Sequence, residues 1–232
     1  QVFVASSAIT LFVAVSLILS TRSAAQGFSV RQAFVITAFA WLTIAAFGAL
    51  PFAFSELDLS PTDAFFESMS GITTTGSTVI VGLDEAPPGI LLWRSILQWL
   101  GGVGIIVMAV AVLPILRVGG MQMFRVEAFE TDKVLPRAAQ VAVGIALIYA
   151  ALTVAAAAMY MALGMTPFDG VAHAMTSIAT GGYSTHDASF RYWADTPAIH
   201  WATSGVMVLG SVPFVQYLRA VRGDALALVR DE

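Results

Sequence analysis

Cysteine is absent from the sequence, so disulfide frameworks, thiolate metal sites and cysteine nucleophiles are all excluded. Charge is scarce as well: 11% of the 232 residues are charged, against about 25% in a soluble domain. A formal net charge of −4 lacks the basic excess of a nucleic-acid binder. Paired catalytic carboxylates, a nucleophile elbow and a phosphate-binding loop are all missing, so no enzyme is expected. What fills the sequence is hydrophobic residues, 58% of it, which points to an all-α polytopic protein embedded in a lipid bilayer.

Five apolar runs reach the ~20 residues that cross a bilayer: Val2–Ser20, 33–54, 95–116, 138–163 and 197–218. The first has no basic flank before it and no small-residue cleavage site, unlike a signal peptide. A chain that opens inside such a run without methionine reads as clipped. In a five-span arrangement Arg22, Arg31, Arg117, Arg125, Lys133, Arg137, Arg219, Arg222 and Arg230 share one side, leaving only Arg94 and Arg191 on the other. The positive-inside rule makes the first side cytoplasmic, together with the C-terminal tail. Acidic residues gather opposite, at Glu56, Asp58, Asp63, Glu67, Asp84, Glu85, Asp169, Asp187 and Asp195. That face either concentrates cations or is simply a set of soluble loops.

Two outer segments are more than loops. Ser60-Pro61 with Asp63, and Thr166-Pro167 with Asp169, each supply a hydroxyl cap, a proline in the first turn and an early carboxylate, the marks of a helix start. AFFESMSGI (64–72) and GVAHAMTSI (170–178) follow, too short to span and suited to re-entrant helices. Each then breaks into Thr/Gly-rich sequence, Thr73, Thr74, Thr75, Gly76 and Ser77 in one copy and Ala179, Thr180, Gly181, Gly182 and Tyr183 in the other. The copies stand 106 residues apart, pairing Pro61 with Pro167, Asp63 with Asp169, Thr74 with Thr180 and Gly76 with Gly182. Repeats in corresponding places suggest a transport fold. Irregular backbone at membrane depth must be buried in protein or line a watery cavity. There, carbonyl oxygens can replace the hydration shell of an alkali cation. With no carboxylate inside either segment, a monovalent ion fits better than calcium.

FFESMSGITTTGSTV (65–79), LLWRSILQWLGGVGIIVMAVAVLPILR (91–117) and TSIATGGYSTHDASF (176–190) resemble the TrkH family of the Trk/Ktr/HKT superfamily of potassium transporters. The resemblance implies helix–pore-loop–helix (M1-P-M2) units like those of potassium channels, four around one pore in a single polypeptide, each keeping one filter glycine. Gly76 and Gly182 match those glycines. Potassium would be the transported ion, facing carbonyls of Thr73, Thr74, Thr75, Ala179, Thr180 and Gly181, with no cofactor. Only two units are present, so the chain is expected to be the N-terminal half of such a protein. The organisation expected is a leading helix at 1–27, one repeat at 28–118, a cytoplasmic link at 119–135, a second repeat at 136–222 and a tail at 223–232. The resemblance also implies a homodimer in the cytoplasmic (inner) membrane of a prokaryote, contacted by a TrkA-like nucleotide-binding regulatory subunit. A sodium-permeable or sodium-coupled relative and a non-conducting membrane scaffold remain open as alternatives.

Asp63, Glu67, Arg94 and Asp169 are expected to support the filter. Arg94 either pairs with Glu67 or Asp63 and braces the first short helix, or snorkels to the interface. His173 aligns with Glu67 and is expected behind the filter. Gly101, Gly102 and Gly104 are read as close-packing positions rather than a hinge. Pro114 and Pro213 are candidate kinks, and Trp93, Trp193 and Trp201 are read as interface anchors.

Overall fold

The computed structural model describes residues 1–21, 30–116, 134–221 and 223. Most of the expected link and tail, and with them Arg22, Arg117, Arg125, Lys133, Arg222 and Arg230, lie outside the described residues. The described chain is helical throughout its regular structure. It runs α1 (Val2–Ser20), α2 (Val30–Gly48), α3 (Leu50–Ala53), α4 (Pro61–Ile72), α5 (Pro88–Leu116), α6 (Val134–Ala162), α7 (Pro167–Ile178), α8 (Pro197–Ser211) and α9 (Phe214–Val221). Among the described residues, three helical stretches are long and apolar enough to cross a membrane: Val2–Ser20, Phe34–Ala53 and Gln140–Ala162. The bent pair α8–α9 makes a fourth if it is counted as one span.

The two short helices form where their caps predict. Ser60 and Thr166 each turn a side-chain oxygen onto the amide N–H three residues on, both at 3.1 Å. The cap residues share one backbone conformation, φ −61° with ψ 156° and 155°. Each helix then runs 12 residues. α4 packs between α2 and α5, and α7 packs against α5, α6 and α8. Around α4 the core gathers Phe52, Ala64, Ile72 and Leu97; around α7 it gathers Ile145, Tyr149, Tyr160, Ile178 and Ile199. α5 belongs to both units, because its Trp99 reaches Thr153 and Tyr149 on α6.

Glycines let the long helices close on the carbonyl ends of the short ones. A Cβ on Gly101 would collide with the Ile72 carbonyl oxygen, and one on Gly210 would lie 2.7 Å from the Ile178 oxygen. Gly102 is equally confined, 2.5 Å from the Tyr149 hydroxyl by the same construction. Close packing is therefore the use of Gly101 and Gly102, whereas Gly104 meets only the edge of Trp41, at 3.7 Å.

The run at 197–218 is not one continuous helix. α8 and α9 meet at 86° across Val212 and Pro213. Proline cannot donate to the Leu209 carbonyl one turn back, and it drives the preceding residue into extended backbone, as Val212 shows (φ −68°, ψ 133°). The Tyr217 hydroxyl takes the missing donor's place on Leu209 at 2.7 Å. Leu218 then packs against Gly144, and the Phe214 ring lies 5.4 Å from that of Tyr149.

Replacing Gly101 with alanine should lower the thermal midpoint of the detergent-solubilised protein, at a cost of about 1–3 kcal/mol. Gly205→Ala, inside α8 with a Cβ that meets nothing within 4 Å, should leave stability unchanged or raise it by up to about 1 kcal/mol, because alanine is the better helix former. Equal effects at both positions would contradict the close approach of α5 to α4.

Candidate ion-binding site

Both short helices end in the same loop. Thr75 and Gly76 direct their N–H groups to the Ser70 carbonyl at 2.9 and 3.4 Å; Gly181 and Gly182 direct theirs to the Thr176 carbonyl at 2.9 and 3.4 Å. Closing the loop this tightly forces left-handed backbone. Gly76 and Gly182 take it with φ +79° and +83°, and so do Thr74 and Thr180, with φ +56° and +54°. A β-branched residue there is a genuine outlier that costs about 1–3 kcal/mol and is held only when the surroundings over-determine it.

With their N–H groups turned back on the helix, the loops keep their carbonyls for another partner. No donor among the described residues bonds the carbonyl oxygens of Thr73, Thr74, Thr75, Gly76, Ala179, Thr180, Gly181 or Gly182. Thr73, Thr75 and Ser77 are exposed in the first loop, and Thr180 and Gly182 in the second. The loops also touch. The Gly181 carbonyl oxygen occupies the space a Gly76 side chain would need, so Gly76 is fixed by contact as well as by conformation.

Behind the loops the repeat continues with different chemistry. Glu67 on α4 accepts from the Thr78 hydroxyl at 3.0 Å and from the Val79 N–H at 3.1 Å. His173, its counterpart on α7, lies 3.0 Å from the Ser184 hydroxyl through Nε2 and 2.9 Å from the Asp169 carbonyl through Nδ1. Arg94 does not snorkel: its side chain is 1% exposed, and Nε lies 2.7 Å from Glu67 Oε1. Its other nitrogens donate to Thr78 Oγ1 (3.0 Å) and to the Ser184 carbonyl (2.9 Å), and the guanidinium sits 4.1 Å from the Tyr183 ring centre. The Tyr183 hydroxyl returns to the Glu67 and Ser77 carbonyls at 2.9 and 3.2 Å. One cation from the first unit thus holds both loops.

The carboxylates of Asp63 and Asp169 do other work. Asp63 accepts from its own cap, Ser60, at 2.6 Å, rather than from Arg94. Asp169 is clasped by Thr166 (2.7 Å) and Thr185 (2.6 Å). Beyond the loops His186 Nδ1 lies 2.5 Å from Asp84, stacks on Tyr192 at 3.7 Å, and brings Nε2 within 3.5 Å of Asp169. Gly82 donates to Asp187 at 3.0 Å across the same seam. Trp193 caps His173 with its ring 5.0 Å away, and the Trp93 indole donates to the Gly48 carbonyl at 2.9 Å. Both tryptophans are therefore bound into the packing rather than free anchors, while Trp201 is 79% exposed. Gln98, Tyr183, Thr78 and Ser184 were missed as loop-holding groups, although Thr78 and Ser184 stand at the repeat's own spacing. Among the described residues no cluster of three or more His, Asp or Glu side chains could hold a metal ion.

Breaking a buried ion pair from one side costs about 3–5 kcal/mol. Arg94→Ala and Glu67→Gln should each lower the thermal midpoint accordingly, and the double variant should cost clearly less than their sum; additive losses would mean that the pair is not coupled. The clasp between His186 and Asp84 should loosen in acid. The hydrogen bond from His186 holds the Asp84 carboxyl below the ordinary carboxylate range. A lowered pKa contributes stability that is full above about pH 4 and is lost as pH falls through the folded value. Protection of the amides around Gly82 against hydrogen exchange, taken relative to their intrinsic rates, should therefore fall below about pH 4, and Asp84→Asn should remove that dependence.

The family model for TrkH, described as a cation transport protein, matches residues 1–223. TrkI of Halomonas elongata, a Trk system potassium uptake protein, is 48% identical over 202 residues, 87% of this chain and 41% of its own length. TrkH of Escherichia coli, of the same description, is 46% identical over 84% of this chain and 41% of its own. The crystal structure of the potassium transporter TrkH from Vibrio parahaemolyticus superposes with a TM-score of 0.85 at 40% identity, over 97% of this chain and 46% of that one. The chain thus spans less than half the length of the relatives it matches. Its paired short helices, their loops and these likenesses together establish that the chain belongs to the TrkH family of cation transport proteins.

Proposed function

We propose that the protein to which this chain belongs takes up potassium across the cytoplasmic membrane, and that the loops at 73–77 and 179–183 line its selectivity filter. The reading rests on one observation: in two equivalent loops consecutive N–H groups bond back to the short helix behind, and a run of carbonyl oxygens is left without a donor among the described residues. Unpaired backbone carbonyls must find water or a ligand. A bare alkali cation is such a ligand, and Thr74, Thr75, Thr180 and Gly181 are the residues assigned to it. Strain at Thr74 and Thr180 supports the assignment, since backbone held out of its preferred basin clusters at binding sites. The relatives carry the name of potassium uptake proteins, which favours potassium over sodium.

Residues 28–118 and 136–222 are taken as two helix–pore-loop–helix units, after a leading helix at 1–27 and joined by a link at 119–135. The tail at 223–232 is placed in the cytoplasm. Two further units are expected to complete the pore, with a homodimer as the assembly and a TrkA-like nucleotide-binding subunit on the cytoplasmic face. Inward flux would follow the membrane potential, worth ~2.3 kcal/mol per charge per 100 mV.

Gly76→Ser and Gly182→Ser should each reduce potassium-over-sodium selectivity, measured as paired ion fluxes in the intact protein. Gly76→Ser should be the more damaging. It meets the Gly181 carbonyl as well as a positive φ, whereas a Cβ on Gly182 enters open space and suffers the backbone strain alone. Unchanged selectivity in both variants would remove the filter assignment.

A further inference from the structure

Gln98 on α5 is fully buried, and its carboxamide stands at the seam of the two loops. Oε1 accepts the Tyr183 backbone N–H at 3.1 Å. An N–H cannot bond to an amino group, so this contact fixes the orientation of the amide. Nε2 must then face away from Tyr183, and it has no hydrogen-bond partner among the described residues. A Cβ on Gly181 would run into the amide itself, and one on Gly76 would come within 3.6 Å of Nε2. One side chain therefore stands beside the filter glycine of the first loop and against Gly181 and Tyr183 of the second. Leucine or methionine would fill similar space without burying an unpaired donor, which native proteins avoid unless the group has a use. Packing alone does not account for an amide here.

We propose that Gln98 is the positioning residue that sets the distance between the two filter loops, and through it the preference for one alkali ion over another. The inference rests on the filter reading above. A carbonyl cage discriminates between ions by how closely its oxygens can gather, and two loops that share a seam can gather only as far as the group between them allows. Gln98 holds the second loop by the Tyr183 N–H and keeps an amino group against the first. Its shape and its hydrogen bond act together on the gap.

The test compares potassium and sodium flux through the intact protein and its Gln98→Leu and Gln98→Glu variants, with membrane abundance measured alongside. Gln98→Leu keeps the bulk and loses the hold on Tyr183. Its potassium-to-sodium ratio should fall about fivefold, the factor for the ~1 kcal/mol of one hydrogen bond. Gln98→Glu can accept from Tyr183 and donate on its far side only while protonated, so its ratio should fall further as pH rises. The ionisable groups packed nearby, Arg94, Glu67, His173, Tyr149 and Tyr183, are common to parent and variant, so the difference between the two isolates position 98. If Gln98→Leu fails to reach the membrane, the pH series on Gln98→Glu decides alone. Parental selectivity in Gln98→Glu at every pH would overturn the proposal. A parent that carries no potassium would overturn the transport reading, and this inference with it.

Discussion

Backbone that leaves a helix inside a membrane must give its N–H groups to something other than water. Here much of that demand is met by the end of the short helix behind each loop, where one carbonyl, of Ser70 in one copy and of Thr176 in the other, takes two consecutive amides. Much else follows from that choice. Two consecutive amides can reach one oxygen only if the chain reverses within a few residues, which is why Thr74 and Thr180 are driven into left-handed backbone with Gly76 and Gly182. The reversal turns these donors back on the short helices and leaves the loop carbonyls unshared among the described residues, the arrangement on which the proposed ion site rests. Strain is kept in place by what lies behind: capped short helices, glycine seats for α5 and α8, and a buried guanidinium.

The two copies share a backbone plan but not an electrostatic one. Glu67 and His173 occupy the same station, each bonded to the hydroxyl residue after its loop. The first is a carboxyl group that meets Arg94; the second is an imidazole, with no arginine paired to it among the described residues. Were both stations acidic, one Arg94 could not neutralise them, and an unpaired buried carboxylate would be expensive. With histidine in the second station, Arg94 can spend its remaining donors on the Ser184 carbonyl and its face on Tyr183. The asymmetry is what allows a single cation to tie the units together.

Local chemistry made much of this legible. The serine and threonine caps, the prolines at 61 and 167 and the shared spacing specify two short helices followed by two breaks, and the structure has them. The left-handed threonines were not legible, because threonine resists that conformation and adopts it only under a tertiary demand that no local window contains. Arg94 was ambiguous for a similar reason: whether an arginine near a helix end snorkels or is buried depends on a carboxylate 27 residues away sharing its pocket. Trp93 and Trp193 fit the composition of an interface belt, yet folding gives one a carbonyl and the other a histidine to cover. Pro213 was a visible kink candidate, but the size of the bend depends on Tyr217 being placed to rescue Leu209.

The contact between Gly76 and Gly181 makes the loops one site rather than two neighbouring ones. Had the loops been separated by side chains, each could relax around an ion on its own, and the softness of one would not be felt by the other. Backbone against backbone leaves no such slack, since peptide groups cannot change rotamer as a leucine can. A shift of one loop must be transmitted across the seam, to its partner or to the few groups that touch both. Besides the Tyr183 hydroxyl, which reaches the Ser77 carbonyl, those groups include Arg94, which reaches Thr78 and Ser184, and Gln98, which stands beside Gly76 and against Gly181. Both are carried by α5, one turn apart. The helix that closes the first unit is therefore also an element that couples the second unit to the first.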